Sequence, residues 1–484
     1  MKKIYDIHHY LGTFFFLLFL IWFLSGFVMM YKQFPFLSEQ DRVNSHLEGK
    51  LSLDEGQLPE RVFRNDSILN IHKFLINRQL NRTIYHVETS DGRIISRYAD
   101  NGEKVFIDEQ KAKRIALGTV KGSFKSSVAV MNEVDQWIPR PRYLKHLPVY
   151  KVSFDDHQQT KVYVSSLTGE VISLTNQLDR FWAWVGAIPH WVYFKDIRLH
   201  PTLWSQLVMC LAGFGFVMAL SGMITGFARY KKKPKANFKR FKNKWYNIHY
   251  YFGLGFGVFV CTWIFSGFMS MTPFDWVPST VLDEEDQLEW QKESFTLNSF
   301  SNDRWAEFVH QIRDREILEV DFFLFNKGMF ARVQSSTKGA TLLSLDQNVS
   351  IPTAKEFQQS IALFDSSDPI RENIYLEEYD SYYYSRRQDK PLPVIRITRE
   401  SGLSYYINGS TVEILYVCNS QNRLERWLYH GLHSLDFSFL YSNGILWDVV
   451  VIILLLGGTV ISITATGLGI KFIRRKIRKY LKQV

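Results

Sequence analysis

Four stretches of this chain, residues 10–31, 203–228, 250–271 and 445–470, are almost unbroken runs of apolar side chains. Each exceeds the ~20 residues that an α-helix needs to cross roughly 30 Å of hydrocarbon. Nothing else in the sequence constrains the fold as strongly, because a chain in lipid must satisfy its backbone hydrogen bonds internally. The expected fold is a membrane α-helical bundle of four transmembrane helices. Lys2 and Lys3 precede the first run as they would in a signal peptide. That run is longer than the ~7–15-residue apolar core of such a peptide, and no small-x-small site follows Tyr31, so it reads as a retained helix.

Orientation follows from the basic residues. Residues 229–244 hold nine lysines and arginines and no acid, and the tail 471–484 holds seven and no acid. Both segments, and with them both termini, are expected on the cytoplasmic side. With Lys2, Lys3 and Asp6 they carry +17 of a net +10, leaving about −7 for the two long segments that face the other way. Positive charge concentrated at the membrane edge fits lipid headgroups and excludes nucleic acid as the partner. Cys210 and Cys261 lie inside apolar runs and Cys418 stands outside them, so neither a disulfide framework nor a thiolate metal site is expected.

The two halves share one plan. Aligned without gaps, Tyr5–Met30 and Tyr246–Met271 agree at 11 of 26 positions, among them His8/His249, Gly12/Gly253, Trp22/Trp263 and Ser25-Gly26-Phe27/Ser266-Gly267-Phe268. The second and fourth runs align at an offset of 243, pairing Arg180/Arg423, Trp184/Trp427, His190/His433, Trp204/Trp447 and Gly215/Gly458. Both halves begin on the same side, so these are two parallel repeats related by a pseudo-twofold axis along the membrane normal. The segments between the helices, 33–180 and 273–425, alternate short β-rich runs with turns. They read as two external α+β domains, each closing on a related pattern with Thr168/Thr411 and Glu170/Glu413 in register. The resulting boundaries are a helix at 1–32, a domain at 33–180, a helical entry and second helix at 181–230, and a basic loop at 231–244. The second half follows with a helix at 245–272, a domain at 273–425, a helical entry and fourth helix at 426–472, and a basic tail at 473–484.

Of thirteen histidines, those at 46, 72, 86, 146, 157 and 310 are read as surface or turn residues. The others gather at helix mouths: His8, His9 and His249 at one side, His190, His430 and His433 at the other, with His200 unmatched. An ionisable group at membrane depth normally faces the bundle and has a partner. One such histidine is most simply an interfacial anchor. Two repeat-related pairs, His8/His249 and His190/His433, are a stronger signal, because the dyad brings equivalent residues together. Zinc or copper would want three or four nitrogen or sulfur ligands, and neither mouth offers them. Haem iron needs two axial ligands. Gly12 and Gly253 lie four residues after His8 and His249, on the same helix face, and leave room there for a flat macrocycle. Ser25-Gly26 and Ser266-Gly267 read equally well as close helix packing. Arg180 and Arg423, with Arg426, are candidate partners for propionates on one side, and Lys2, Lys3 and Lys244 on the other.

These residues resemble a known family, the PepSY-associated transmembrane proteins, also called iron-regulated membrane proteins. The resemblance rests on "IHHYLG…WFLSGF" and "IHYYFG…WIFSGF", on "PHWVYF" and "GLHSLDF", and on the "YV…TGEV" strand pattern of the external segments. It implies two PepSY-like periplasmic domains and a multi-pass protein of the bacterial inner membrane. Some members resemble two-haem reductases of ferric siderophores. By position, His8, His190, His249 and His433 would be axial ligands of two b-type haems. The second copy departs from the pattern, with Val412 where Gly169 stands in the first.

The function expected is therefore electron transfer from the cytoplasmic side to a ferric chelate in the periplasm. No dinucleotide fingerprint is present, since the glycines of "GLGFGVF" fall inside a helix. The donor is then a separate cytoplasmic flavoprotein or a membrane quinol. The alternatives are a non-enzymatic sensor or assembly factor, which would be colourless, and a small-solute transporter. For the transporter the helices lack the broken segments and buried charges that transport sites use.

Overall fold

The computed structural model describes residues 1–37, 53, 57–66, 68, 71–120, 122–232, 240–274, 276, 278, 296–313, 315–325, 328–335, 339–346, 349–362, 367–386, 390–411 and 413–481. The chain forms two compact units, one of residues 1–34, 179–278 and 421–484, the other of residues 35–178 and 279–420.

The first unit is the helical bundle. Its four long helices are α1 (Lys2–Met29), α2 (Pro201–Lys232), α3 (Lys244–Met269) and α4 (Gly444–Tyr480). All four are long and apolar enough to cross a membrane. Phe15, Phe19 and Phe23 of α1 pack with Val260 and Ile264 of α3 and with Val451, Leu454 and Leu455 of α4. Two adjacent glycines of α4 admit aromatic rings from two helices. A Cβ on Gly457 would collide with the Phe256 ring of α3, and one on Gly458 with the Phe23 ring of α1. Helices approach closely in this way when small residues receive large ones.

Short helices precede α2 and α4. In the first half Gln177–Val185 and Ala187–Trp191 are separated at Gly186. In the second half Ser420–Glu425 runs into a π-helical turn at Arg426–Gly431 and then into Leu432–Ser434. Both segments end in a left-handed residue at the same register, Val192 (φ 52°) and Leu435 (φ 51°). A left-handed conformation is unfavourable for leucine and more so for β-branched valine, so the fold enforces this reversal twice.

The second unit is built on a six-stranded antiparallel sheet. Its strands are β1 (Ile71–Gln79), β2 (Arg82–Thr89), β3 (Ile94–Tyr98), and, from the second half, β8 (Ile317–Phe325), β9 (Gly328–Ser335) and β10 (Gly339–Ser344). The order is β10-β9-β8-β1-β2-β3. Two four-stranded sheets complete the unit. One contains β4 (Ser126–Met131), β5 (Val149–Phe154), β6 (Lys161–Ser165) and β7 (Val171–Thr175). The other contains β11 (Ile370–Leu376), β12 (Val394–Arg399), β13 (Ser404–Asn408) and β14 (Ile414–Cys418).

The segments 33–180 and 273–425 are thus not two independent cores. Strands β1 and β8 pair across the halves, with Phe74 opposite Phe322 and Ile76 opposite Val320. At this seam the apolar pairs share one face, and the other face sets Leu75 opposite Asp321 and Asn77 opposite Glu319. Phe74, Ile76, Val320 and Phe322 join Trp305 and Phe308 in one core. On the other face, Ile84 and Tyr98 pack with Val152 and Val164, and Phe330 and Leu342 pack with Ile397 and Tyr405.

His86 departs from the surface role expected of it. It is buried on β2, with Nδ1 bonded to Ser96 Oγ at 2.8 Å and Nε2 to Asn77 Oδ1 at 3.0 Å. His46 and Val412 lie outside the described residues.

Candidate functional site

Two pairs of histidines meet inside the bundle. His8 of α1 faces His249 of α3 with ring centres 6.2 Å apart. His190 and His433, each in the short helical segment before a long helix, face one another at 6.1 Å. The residues that share each partner's neighbourhood sort differently. The His9 ring stacks with Tyr5 and meets Phe472 of α4 edge-on at 4.4 Å. His430 packs its ring on Tyr429 at 4.9 Å. In both cases the member of the pair is the residue in repeat register, His8 and His433. His200 is exposed at the start of α2.

Each of the four rings has its Nδ1 held from behind. His8 Nδ1 lies 2.9 Å from the Met218 carbonyl of α2. His249 Nδ1 lies 3.2 Å from the Ile461 carbonyl of α4 and 3.1 Å from Thr464 Oγ1. Met218 and Ile461 are themselves 243 residues apart. In the second pair, His190 Nδ1 is 3.0 Å from Ser25 Oγ. His433 Nδ1 is 3.0 Å from Ser266 Oγ and 3.2 Å from the Trp263 carbonyl.

A carbonyl can only accept, so His8 carries its proton on Nδ1. The serines lead to the same tautomer. Ser25 and Ser266 donate their hydroxyl protons to the carbonyls of Trp22 and Trp263 at 3.0 and 2.9 Å. Their oxygens are left to accept from the imidazoles. Nε2 of every ring is therefore an unprotonated donor atom without a hydrogen-bond partner among the described residues.

This arrangement fits a metal held between two imidazoles. Bonds of about 2.0–2.1 Å to opposite nitrogens place the two ring centres about 6.3 Å apart. Metal-binding histidines typically donate their other N–H to a carbonyl or comparable acceptor, which fixes tautomer and orientation. The described residues contain no group of three or more His, Cys, Asp or Glu that could hold a bare ion. A cofactor that brings its own equatorial ligands, as a porphyrin does, needs only the pair.

A cavity of about 650 Å³ surrounds the first pair. It is lined by His8, His249, Gly12, Gly253, Gly222 and Arg229 among others. Its volume falls within the ~300–1,000 Å³ usual for ligand sites. A Cβ on Gly12 would touch only Met218 Sδ at 3.8 Å, and one on Gly253 would meet nothing within 4 Å. The space in front of both glycines is open, as a flat group lying against the helices requires. Lys2 also lines this cavity. Arg180 and Arg423 sit on the short helices Gln177–Val185 and Ser420–Glu425, ten residues ahead of His190 and His433. Arg426 is buried and donates to the Asp436 carbonyl.

Three contributors were not legible as such in the sequence. Ser25 and Ser266 resembled packing residues. In the structure Gly26 packs, facing Leu455, while the serine hydroxyls bond to histidines. Gly222 of α2 lies directly behind His8, where a Cβ would come within 2.5 Å of the ring. The serines' signal was the register: 17 residues separate His8 from Ser25 and His249 from Ser266. That interval puts the two pairs about 25 Å apart along the helices, at about 1.5 Å per residue.

Four membrane-length helices that bring two pairs of imidazoles together at two levels define a multi-pass membrane protein. The chain matches the model of the PepSY-associated TM region over residues 5–475 and belongs to that family. No curated protein matches it.

Proposed function

We propose that the protein carries electrons across the bacterial inner membrane through two b-type haems and reduces ferric iron, held as a chelate such as a siderophore complex, in the periplasm. Both termini are then cytoplasmic, and the chain is a tandem duplication whose two parallel repeats each contribute a PepSY-like external domain. The observation that carries this reading is the pair of repeat-related imidazole sites, with ring centres 6.2 and 6.1 Å apart and every Nδ1 occupied from behind.

His8 and His249 would hold the haem nearer the termini, and His190 and His433 the other. When bound, haem supplies one-electron chemistry that no side chain here provides. The chain's own residues orient and insulate. Met218, Ile461 and Thr464 fix the first pair's tautomer, and Ser25 and Ser266 fix the second's. Phe19, Phe23 and Val260, between the two levels, close the bundle against water. Lys2 and Arg229, at the mouth of the first cavity, are placed to offset the negative charge of carboxylate substituents. A cytoplasmic flavoprotein or a quinol would be the donor. Iron is the substrate: one electron converts the chelated Fe(III) to Fe(II), which hard oxygen ligands hold less firmly.

The test is a haem count. The purified protein should carry about two haems per chain with a reducible Soret band. His249→Ala should retain about half, and His9→Ala should retain all. A protein that stays colourless with ample haem supply refutes the reading and leaves a sensor or assembly role.

A further inference from the structure

The short helical segments that lead to His190 and His433 also present an outer face that the histidines do not use. In Gln177–Val185, Ala183 is buried, while Phe181, Trp184 and Val185 are 54%, 49% and 39% exposed. Those three stand at i, i+3 and i+4, on one side of the helix. The second half repeats the arrangement. Arg426 is buried, and Leu424 and Trp427, in register with Phe181 and Trp184, are 49% and 42% exposed. Each tryptophan meets the matching phenylalanine, Trp184 with Phe194 at 6.4 Å and Trp427 with Phe437 at 6.3 Å. Phe194 is exposed, and so is Phe439, which stacks on Phe437 at 5.8 Å. Single exposed apolar residues are ordinary; an aromatic face built twice at one register calls for a partner.

The depth of these faces can be read from α1. Gly186 directly follows the first short helix and is closed on Val28, with which a Cβ there would collide. The apolar run of α1 ends at Tyr31, three residues beyond Val28. Gly186 therefore lies ~5 Å inside the end of that run, at about 1.5 Å per residue. The exposed apolar surface continues in Leu203 at the start of α2 and in Ile445 and Leu446 at the start of α4. Each segment is tied to its long helix by an indole: Trp204 Nε1 donates to the Trp191 carbonyl and Trp447 Nε1 to the Ser434 carbonyl, both at 2.8 Å.

We infer that Gln177–Val185 and residues 420–431 are interfacial helices that lie on the phospholipid surface and insert Phe181, Trp184, Leu424 and Trp427 at the boundary between headgroups and acyl chains. Lipid is the partner because these faces adjoin surfaces that α2 and α4 must themselves turn to lipid, and because indole pairs an apolar body with a polar N–H suited to that boundary. Helices of this kind bury their apolar face about 5–10 Å into the headgroup layer. The segments that bear His190 and His433 are thereby seated on the membrane. This seat goes beyond the electron-transfer reading and holds whether or not the imidazoles bind haem.

The experiment measures depth with a nitroxide on single cysteines, in a full chain carrying Cys210→Ala, Cys261→Ala and Cys418→Ala and reconstituted in phosphatidylcholine–phosphatidylglycerol vesicles. Phe181→Cys, Trp184→Cys, Leu424→Cys and Trp427→Cys report on the two helices. Leu17→Cys, at an exposed position within the apolar run of α1, calibrates the hydrocarbon, and Arg93→Cys, at an exposed position in the β-rich unit, calibrates water. Accessibility to oxygen relative to a water-soluble nickel chelate should be severalfold higher at the four helix positions than at Arg93, and lower than at Leu17. Nickel accessibility equal to that at Arg93 overturns the inference, since the faces then stand in water. Protection from both reagents also overturns it, since protein or a second copy then covers them. Each helix is read at two positions, so a variant that fails to fold leaves the other.

Discussion

Replacing Gly222 by alanine adds one methyl group, and the structure says where that methyl goes. It would stand 2.5 Å from Cε1 and 2.7 Å from Nδ1 of His8. An ordinary carbon contact is about 3.5–4.0 Å, so the ring must retreat by about 1 Å. That retreat breaks the 2.9 Å bond from Nδ1 to the Met218 carbonyl and shifts a ring whose centre now lies 6.2 Å from that of His249. Loss of such a bond behind a ligand typically lowers metal affinity about 10–100-fold. This corresponds to roughly 1.4–2.8 kcal/mol. Alanine itself favours the helix by about 0.5–1 kcal/mol over glycine, so α2 is not the casualty. Gly213→Ala, on the same helix, is the control: its methyl would meet Phe268 at an ordinary 3.7 Å. The assay is a pyridine haemochrome count with haem titration into the apoprotein. Gly222→Ala should hold about one haem tightly and the other weakly, while Gly213→Ala holds two. Full, tight loading of Gly222→Ala refutes the placement of His8 as a ligand.

Two further predictions concern the β-rich unit. Asp380 accepts from Arg396 at 2.6 Å, from the Tyr406 hydroxyl at 2.9 Å, and from the backbone amides of Tyr382 and Tyr383 at 2.8 and 2.7 Å. Asp380→Ala leaves the fully buried Tyr406 phenol without this acceptor, while Arg396 keeps Glu372 at 3.0 Å, and should lower stability by about 1–3 kcal/mol, read as a lower midpoint in a thermal melt monitored by tyrosine. A second prediction is a pH effect at His146, where burial, the leading cause, pulls the imidazole pKa down despite the nearby Glu170 and Glu88, with Lys145 and Arg142 adding to the fall. The unfolded chain takes up that proton first, so stability should be complete above pH ~6.5 and decline as pH falls from there towards the lowered folded value. His146→Gln should flatten that slope in denaturant titrations, and an unchanged slope would rule His146 out as its source.

The bundle was legible because its signal is compositional: apolar runs of spanning length are hard to mistake. The helical repeat was legible because histidine, glycine and tryptophan recur at a constant offset, and that offset alone ranked His8 above His9 and His433 above His430. The serines were not, since Ser-Gly in an apolar helix reads equally as close packing, and only the third dimension shows His190 and His433 folding back onto it. Gly222 was silent for a similar reason. Its importance lies in the ring on a neighbouring helix, and nothing adjacent in sequence records that. The joining of the external segments was missed because strand pairing between residues some 245 apart leaves no local mark.

That shared sheet also bears on how the protein is made. Strand β1 is complete at Gln79, yet its partner β8 begins at Ile317. At about 5–20 residues per second, the nascent chain keeps the strand that carries Phe74 and Ile76 waiting on the order of 10–50 s for that partner. In that interval α2 and α3 are synthesised. Biogenesis is then a race between closure by the chain's own second half and capture by foreign strands. Chaperone depletion should therefore be felt most by chains stalled in the first half.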